Sequence, residues 1–423
     1  MRANFDSLKL AVEGMSGGKN TVLFDDMDMP SIMVRIPQMK FADLITGGTQ
    51  DVHDAFICNE VTYESLYIGK YLSTVVGGRA YSLAGKDPAV NMDFDTARAY
   101  CRAKGAGWHL PTNALYAAIA LWCKANKTLP HGNTNYGADH ANPYERGFAS
   151  CSRDSNGKVQ RTATGSGPDT WYHDYNAATG IADLCGNVWE WAGGLRLVDG
   201  EIQVIPYGNA MADIYSGASD IQGASSTLWK ALDKDGNFVA PGSAGTLRYD
   251  YVADPGTSGG GKDFQLVSGA LAHKQTVEAP YADKAFWSVA AKSGLTVPVR
   301  AKALGLMPDG DAAAYGNRGH LWMRNLGERL PLRGGNWGNG ANAGVPTLNL
   351  NNPRTNSNGN IGFRSALAPA ARSRAPMGTR TVRGAKGTHL PTEGASPRRK
   401  TESPRKQLVG AGTRRTMPHA AFL

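Results

Sequence analysis

Cysteine and histidine are the residue types in this chain best suited to metal or redox chemistry, and their spacing argues against a metal site. The five cysteines form no C-x-x-C pair and no regular framework: Cys58, Cys101, Cys123, Cys151 and Cys185. Structural zinc needs clustered Cys and His ligands, and the nine histidines are scattered. We therefore predict no metal, and an odd number of unpaired thiols indicates a reducing origin.

Asparagine is the second chemically distinctive residue type, because nine asparagines occur within the 25 residues from 336 to 360. Asn tolerates left-handed backbone and forms Asx turns, which explains a few such residues in a loop but not this density. Between 348 and 351 leucine alternates with asparagine. Strand spacing predicts that the leucines point inward and the asparagines outward.

The elements that position these residues can be predicted from periodicity and capping signals. We predict helices over Ser7–Met15 and 93–105, a helix that begins after Thr112, and a further helix near 282–292. Strands are expected at Thr21–Phe24, Ile32–Ile36 and 188–191.

The net charge of +9 would suggest a nucleic-acid partner if it were spread over the chain. Residues 369–423 hold 12 Lys and Arg against 2 acidic residues, which leaves 33 against 34 elsewhere. This tail is rich in Pro, Gly, Ser and Thr, so we predict that it is disordered. A nucleic-acid partner is not expected beyond weak, salt-dependent contacts of the tail.

Targeting and membrane signals are not found in the sequence. No stretch approaches the roughly 20 apolar residues that span a bilayer. Residues 1–7 lack the apolar run of a secretory signal peptide.

Four segments, in chain order, carry a family resemblance. They are Asp95–Cys101 leading into Trp108–Ala114, then Pro130–Asn133, then Gly180–Trp191, and finally Leu332–Trp337 with Gly362–Arg364. Together they resemble the formylglycine-generating enzyme (sulfatase-modifying factor) branch of the C-type lectin fold. The resemblance implies an α+β fold: a twisted antiparallel sheet with two flanking helices, a long irregular insertion and a disordered basic tail.

The resemblance also implies domain boundaries. We expect an N-terminal segment at 1–30 and a lectin-like domain at 31–368, followed by the tail at 369–423. The insertion covers about 195–326 and the variable region about 333–364.

Enzymes of this family oxidise a substrate cysteine with copper held by two cysteines between the last two motifs. In this chain no cysteine follows Cys185, and asparagine or glycine cannot replace the soft thiolates that hold Cu(I). The second helix also begins with Asn113 and Leu115 where the family favours Glu, so the capping box is missing. We predict that the protein is not an enzyme. The alternative is a formylglycine-generating-type oxidoreductase, acting on protein cysteine, with displaced catalytic groups.

The asparagine-rich span is similar to the variable region of proteins diversified by phage and bacterial retroelements, which use the same fold. There, error-prone copying of template adenines converts Asn codons into many residue types. The resemblance implies a ligand- or receptor-binding protein with these contact residues: Asn336, Trp337, Asn339, Asn342, Thr347, Asn349, Asn351, Asn352, Asn356 and Asn358. Arg333, Gly334 and Gly335, with Gly362, Phe363 and Arg364, would supply the fixed frame, with Phe363 buried.

The resemblance leaves cofactor, partner and location only partly defined. Asn187 and Glu190 correspond to a region that can hold calcium in the family, although internal hydrogen bonds account for them equally well. No other cofactor is expected. The expected partner is a variable protein or a cell-surface ligand. A virion or a cell surface is the expected location, and otherwise the cytoplasm.

Overall fold

Helices account for a small part of the chain, and each of the two predicted long helices begins at a side-chain cap. The computed structural model describes residues 2–213, 220–256, 262–278 and 280–369. In these residues the α-helices are α1 Arg2–Ser16, α2 Phe41–Leu44, α3 Phe94–Arg102, α4 Asn113–Asn126 and α5 Val299–Ala303. Asp93 accepts a hydrogen bond from the Thr96 amide to cap α3, and Thr112 caps α4 through the Leu115 amide. The predicted helices at 93–105 and after Thr112 are confirmed.

Strands dominate the described residues. They are β1 Asn20–Phe24, β2 Pro30–Pro37, β3 Ile57–Cys58, β4 Val61–Thr62, β5 Ser65–Gly69, β6 Ser73–Val76, β7 Arg79–Ser82, β8 Trp108–His109, β9 Trp189–Trp191, β10 Leu195–Val198, β11 Glu201–Val204, β12 Lys230–Leu232, β13 Phe238–Val239, β14 Leu247–Tyr251, β15 Phe264–Ser268, β16 Ala282–Ala285, β17 His320–Met323, β18 Glu328–Arg333, β19 Leu348–Asn352, β20 Ile361–Gly362 and β21 Ala366–Leu367. The α+β class is as predicted.

The smaller sheet joins the two ends of the described chain. Its five strands run in the order β1-β2-β5-β21-β8, so the last strand lies between strands from the first hundred residues or so. Ala366 pairs with Ile68 on one side and with His109 on the other. The backbone that follows the asparagine-rich span is thus fixed in the interior of a sheet.

The larger sheet has twelve strands and mixes both pairing senses. Its main path is β13-β12-β11-β10-β18-β19-β17-β16, and β9 pairs with β18 and β20. The β17–β19 and β9–β20 pairs are parallel, so the sheet is mixed rather than purely antiparallel. In sequence β18 lies between β17 and β19, and it pairs antiparallel to β19. The chain therefore reverses direction twice between β17 and β19, so those two strands run parallel. Residues 195–326, the predicted insertion, supply most strands of this sheet.

The main apolar core lies against α4, which is almost wholly buried. Ten of its residues are buried, and the core cluster that contains them extends into the strands of the large sheet, including Leu321, Leu348 and Leu350. A second cluster packs Trp189, Trp191 and Phe363 together with Phe94 and Leu332. Phe363, the frame residue predicted to be buried, therefore lies in this second core and is fully buried.

The helix predicted near 282–292 is wrong: β16 occupies Ala282–Ala285 and a 3-10 turn occupies Phe286–Ser288, because pairing with β17 overrides the local composition. The tail predicted to be disordered lies, from residue 370 on, outside the described residues. Among the described helices, none is long and apolar enough to cross a membrane.

Candidate functional site

Three of the sequence motifs meet at strand β9. Antiparallel pairing places Glu190 of β9 opposite Arg333 of β18, and parallel pairing places Glu190 beside Gly362 of β20. The asparagine-rich span runs from the end of β18 to the start of β20. Both of its ends are therefore attached to the same short strand.

A buried ion pair closes this frame. The Arg364 guanidinium donates to both carboxylate oxygens of Glu190, at 2.5 Å from Nε and 2.7 Å from Nη2, and also to the carbonyls of Gly69 and Ala182. The Tyr116 hydroxyl donates to Glu190 Oε2 at 2.5 Å. Burial disfavours the charge of Arg364, but the Glu190 carboxylate outweighs it and keeps the pKa of the guanidinium above its ordinary value. Every polar atom of this pair is used inside the protein.

Arg333 anchors the other end of the span without a carboxylate. Its guanidinium donates to Asn113 Oδ1 from Nε at 3.0 Å and from Nη2 at 2.5 Å, and to the carbonyls of Leu304 and Pro346. Burial lowers the pKa of Arg333 to about 10. Asn113, which departs from the family pattern, is thus the residue that receives this arginine.

Glycine allows the span to turn back on itself directly after Arg333. Gly334 and Gly335 have φ angles of +85° and +89°, a region that L side chains rarely adopt. A Cβ atom on Gly335 would lie 2.6 Å from the Cβ of Ala343. The start and end of the first loop, residues 336–344, are therefore in direct contact.

The predicted contact residues fall into an accessible and an inaccessible group. Asn342 and Asn358 are exposed. Five more are half-buried: Trp337, Asn339, Asn351, Asn352 and Asn356. These seven side chains can be reached by a partner. Several also bond each other, since Asn356 Nδ2 donates to Asn352 Oδ1 at 2.7 Å and Asn352 Nδ2 donates to Asn349 Oδ1 at 2.9 Å.

Three predicted contact residues are buried in the structure. Thr347 is 0% exposed and its hydroxyl donates to the Asn342 carbonyl at 2.8 Å. Asn336 is 9% exposed and its Oδ1 accepts the Gly338 amide, so it holds the turn. Asn349 is 8% exposed. The alternation along β19 does bury both leucines, but β19 lies between β17 and β18 and its second face is also covered.

The side chains of the two calcium candidates are used inside the protein. Glu190 is taken up by Arg364 and Tyr116, as described above. Asn187 is fully buried, with Oδ1 accepting the Thr162 amide at 2.9 Å and Nδ2 donating to the Thr162 carbonyl at 3.0 Å. Neither side chain has an oxygen free for a cation. Within the described ranges, no group of three or more His, Cys, Asp or Glu could hold a metal ion.

The cysteines do not form a redox centre in this region. Four are buried, and Cys151 is half-buried. Burial raises the pKa of the thiols of Cys101, Cys123 and Cys185, which suppresses the reactive thiolate. The span between Arg333 and Arg364 contains none of them.

Arg354 is a site residue that the sequence analysis did not identify. It donates from Nη1 to Asp95 Oδ1 and from Nε to Glu328 Oε2, both at 2.9 Å, and from Nη2 to the Gln222 carbonyl. The available signal was that Arg354 is the one charged residue between Gly334 and Phe363. It fixes the second loop, residues 353–360, to α3 and to the insertion.

Comparison with known proteins agrees with the motifs. Residues 34–203 match the model of a family described as the sulfatase-modifying factor enzyme 1-like domain. The matched range contains three of the four motif segments, so the match confirms the predicted resemblance for this part of the chain. No curated protein sequence matches the chain.

Several solved structures are similar to this chain at low sequence identity. PvdO from Pseudomonas aeruginosa is 15% identical, with 82% of this chain and 97% of that chain covered, at a TM-score of 0.31. Treponema denticola variable protein 1 is 12% identical, with 83% and 99% covered, at a TM-score of 0.30. A Major Tropism Determinant, the P3c variant, is 12% identical, with 79% of this chain and 62% of that chain covered, at a TM-score of 0.28. TM-scores at this level carry no argument about function.

Proposed function

We propose that this protein is a non-enzymatic recognition protein whose asparagine-rich span contacts a ligand or receptor and is diversified by a retroelement. The observation that carries the proposal is the combination of accessible asparagines with a buried frame. Asn342 and Asn358 are exposed on loops whose ends are anchored by Arg333 and Arg364. Such a surface can change its side chains while the fold stays the same.

Burial narrows the set of contact residues. The proposed ligand-contacting positions are Trp337, Asn339, Asn342, Asn351, Asn352, Asn356 and Asn358. Asn and Trp side chains combine adaptable hydrogen bonding with a rigid aromatic surface, as in antibody paratopes. A receptor or ligand on a phage host or a bacterial surface is the proposed partner class, and a virion or cell surface is the proposed location.

A pair of displayed libraries tests this proposal. One library randomises Asn342, Asn356 and Asn358, and the matched library randomises Asn336, Thr347 and Asn349. We expect folded, ligand-selectable variants from the first library and loss of folded display from the second, because the second set packs inside. Equal tolerance in the two libraries would contradict the assignment of the surface.

The genomic surroundings test the diversification itself. We expect a near-identical repeat of the coding segment for residues 333–364, differing mainly at adenines, beside a reverse transcriptase gene. The absence of a reverse transcriptase gene from the genomic neighbourhood would contradict diversification by a retroelement. It would leave the ligand-binding proposal unaffected.

The family match favours one alternative, a formylglycine-generating-type oxidoreductase. It requires Cu(I) bound by soft ligands. We expect the purified protein to bind no stoichiometric Cu(I) and to leave a cysteine-containing peptide unoxidised in the presence of oxygen. Copper binding with oxygen-dependent oxidation would establish the alternative instead.

A further inference from the structure

A second segment of the chain touches both loops of the asparagine-rich span. This flanking segment comprises residues 131–166. At the first loop, the Tyr136 amide donates to the Trp337 carbonyl at 2.8 Å and the Gly340 amide donates to the Thr134 carbonyl at 2.9 Å. At the second loop, Arg161 Nη1 donates to the Gly359 carbonyl at 3.4 Å. The flanking segment therefore contacts both loops near its two ends.

Two large aromatic side chains of the flanking segment face solvent. Tyr144 is 80% exposed and Phe148 is 77% exposed. Their backbone is held in place, because the Gly147 amide donates to the Gly137 carbonyl and the Ala163 amide donates to the Phe148 carbonyl at 2.7 Å. Uncovered aromatic side chains on a hydrogen-bonded backbone are a feature of interaction surfaces.

A tyrosine of the flanking segment lies between Lys158 and the first loop. Tyr136 has a φ angle of +50°, which is uncommon for a bulky residue. The ammonium group of Lys158 lies 4.5 Å from the centroid of its ring. A Cβ atom on Gly338 would lie 3.4 Å from its hydroxyl oxygen. The Tyr136 side chain thus extends from Lys158 to the turn that carries Trp337.

The charge of the flanking segment is positive at its surface. Arg146, Arg153 and Lys158 are exposed, and none of them has a carboxylate partner among the described residues. The three acidic residues of the segment are all engaged internally. Asp139 binds Arg318, Glu145 binds His131 and Trp171, and Asp154 accepts backbone amides of its own turn.

We propose that Tyr144, Arg146, Phe148 and Lys158 form a fixed contact surface for an acidic polypeptide patch on the partner. The inference rests on the proposed function, because it assigns a constant region to the same recognition face. Aromatic and arginine side chains are enriched at protein–protein contacts, and unpaired cations are complemented by carboxylates. The varied asparagines then select among partners that share this acidic patch.

A random copolymer of glutamate and tyrosine is the probe for this surface, with dextran sulfate as the polysaccharide comparison. All proteins are full-length, so any contribution of the basic tail is the same in each. The test variants are Tyr144→Ser with Phe148→Ser, and Arg146→Glu with Lys158→Glu. Their matched controls are Leu228→Ser with Val252→Ser, which lose exposed apolar side chains, and Lys40→Glu with Lys292→Glu, which reverse two exposed charges.

We expect each test variant to bind the copolymer about tenfold more weakly than the unchanged protein and each control to stay within about twofold. Thermal unfolding monitored by circular dichroism verifies that each variant is folded. Equal weakening by the charge controls would overturn the proposal, since binding would then follow overall charge. Dextran sulfate binding that depends on the same four residues would overturn the polypeptide class in favour of a polysaccharide.

A separate readout distinguishes this inference from the proposed function. The library at Asn342, Asn356 and Asn358 is selected against one bacterial surface extract, once on the unchanged scaffold and once on the Tyr144→Ser, Phe148→Ser scaffold. Equal recovery of binders from both scaffolds contradicts the fixed surface and leaves the recognition function in place. Recovery from neither scaffold, with the copolymer result intact, contradicts the recognition function alone.

Discussion

The frame at β9 and the asparagine-rich span differ in how their polar atoms are used. In the frame, Glu190 and Arg364 are buried. Their polar atoms form hydrogen bonds with each other, with Tyr116 and with backbone carbonyls. In the span, Asn342 and Asn358 have side chains open to solvent. From this difference we expect tolerance to substitution to follow accessibility and not residue type, because buried Asn336 and Asn349 belong to the same run of sequence.

Disrupting the Glu190–Arg364 ion pair of the frame has the largest expected effect on stability. We expect Glu190→Gln to lower the free energy of unfolding by about 3–5 kcal/mol, because it leaves the buried Arg364 charge without a carboxylate. Urea unfolding measures the change. Asp235→Asn is the matched control: Asp235 binds Lys234 and both side chains are mostly exposed, at 62% and 58%, so we expect a loss below about 1 kcal/mol. Similar losses for the two variants would show that the frame does not depend on its ion pair.

A buried lysine beside the smaller sheet makes stability depend on pH. Lys104 Nζ donates to Ser31 Oγ at 2.7 Å and lies 3.2 Å from the Trp108 ring centroid. Burial lowers its pKa from 10.5 to about 7. Between these values the unfolded chain binds more protons than the folded chain, so this group makes stability rise with pH across that window.

We expect the Lys104→Met variant to lose this rise. The difference in unfolding free energy between the unchanged protein and the variant should increase by about 1 kcal/mol per pH unit between pH 7 and pH 9. Chemical unfolding at several pH values gives the curve, and Lys292→Met, at an exposed lysine, controls for the loss of one charge. A difference that is flat with pH would show that Lys104 is not desolvated.

Within the span, we expect a smaller loss of stability at an inaccessible position and no loss at an accessible one. We expect Thr347→Val to cost about 1–2 kcal/mol, because the buried hydroxyl bonded to the Asn342 carbonyl is lost. The same substitution at exposed Thr355 should be neutral within about 0.5 kcal/mol. If thermal unfolding shows no difference between the two variants, the buried Thr347 hydroxyl does not stabilise the fold.

The smallest effect is expected at the exposed asparagines. Asn358→Tyr should change the free energy of unfolding by less than about 0.5 kcal/mol. Asn349→Tyr places a larger ring in a covered position and should cost about 1–3 kcal/mol. Denaturant midpoints compare the two variants directly, and a large loss at Asn358 would contradict the proposed function.

The sequence was informative where a local signal and the tertiary structure agree. The caps at Asp93 and Thr112 predict both helix starts, because a side-chain oxygen must satisfy the first free amides. The helix expected near residue 282 fails because pairing between β16 and β17, two strands about forty residues apart, decides the structure there. Long-range pairing leaves no local periodic signal.

The site was predictable as a region but not residue by residue. The motifs locate both ends of the span, and the alternation at 348–351 identifies the two buried leucines. Whether Asn349 is accessible depends on β17, which the sequence gives no means to place beside β19. Arg354 could not be assigned either, since its partners Asp95, Gln222 and Glu328 lie 259, 132 and 26 residues away along the chain.

Arg354 has a consequence for engineering. Because this side chain links the second loop to Asp95 of α3, to Gln222 in the insertion and to Glu328 of β18, the loop cannot be transplanted alone. A chimera that moves residues 336–360 onto a shorter relative would leave the Arg354 guanidinium without its three acceptors. Grafts should therefore carry Asp95 of α3 and residues 195–333 with the loop, or exchange Arg354 for a neutral residue beforehand.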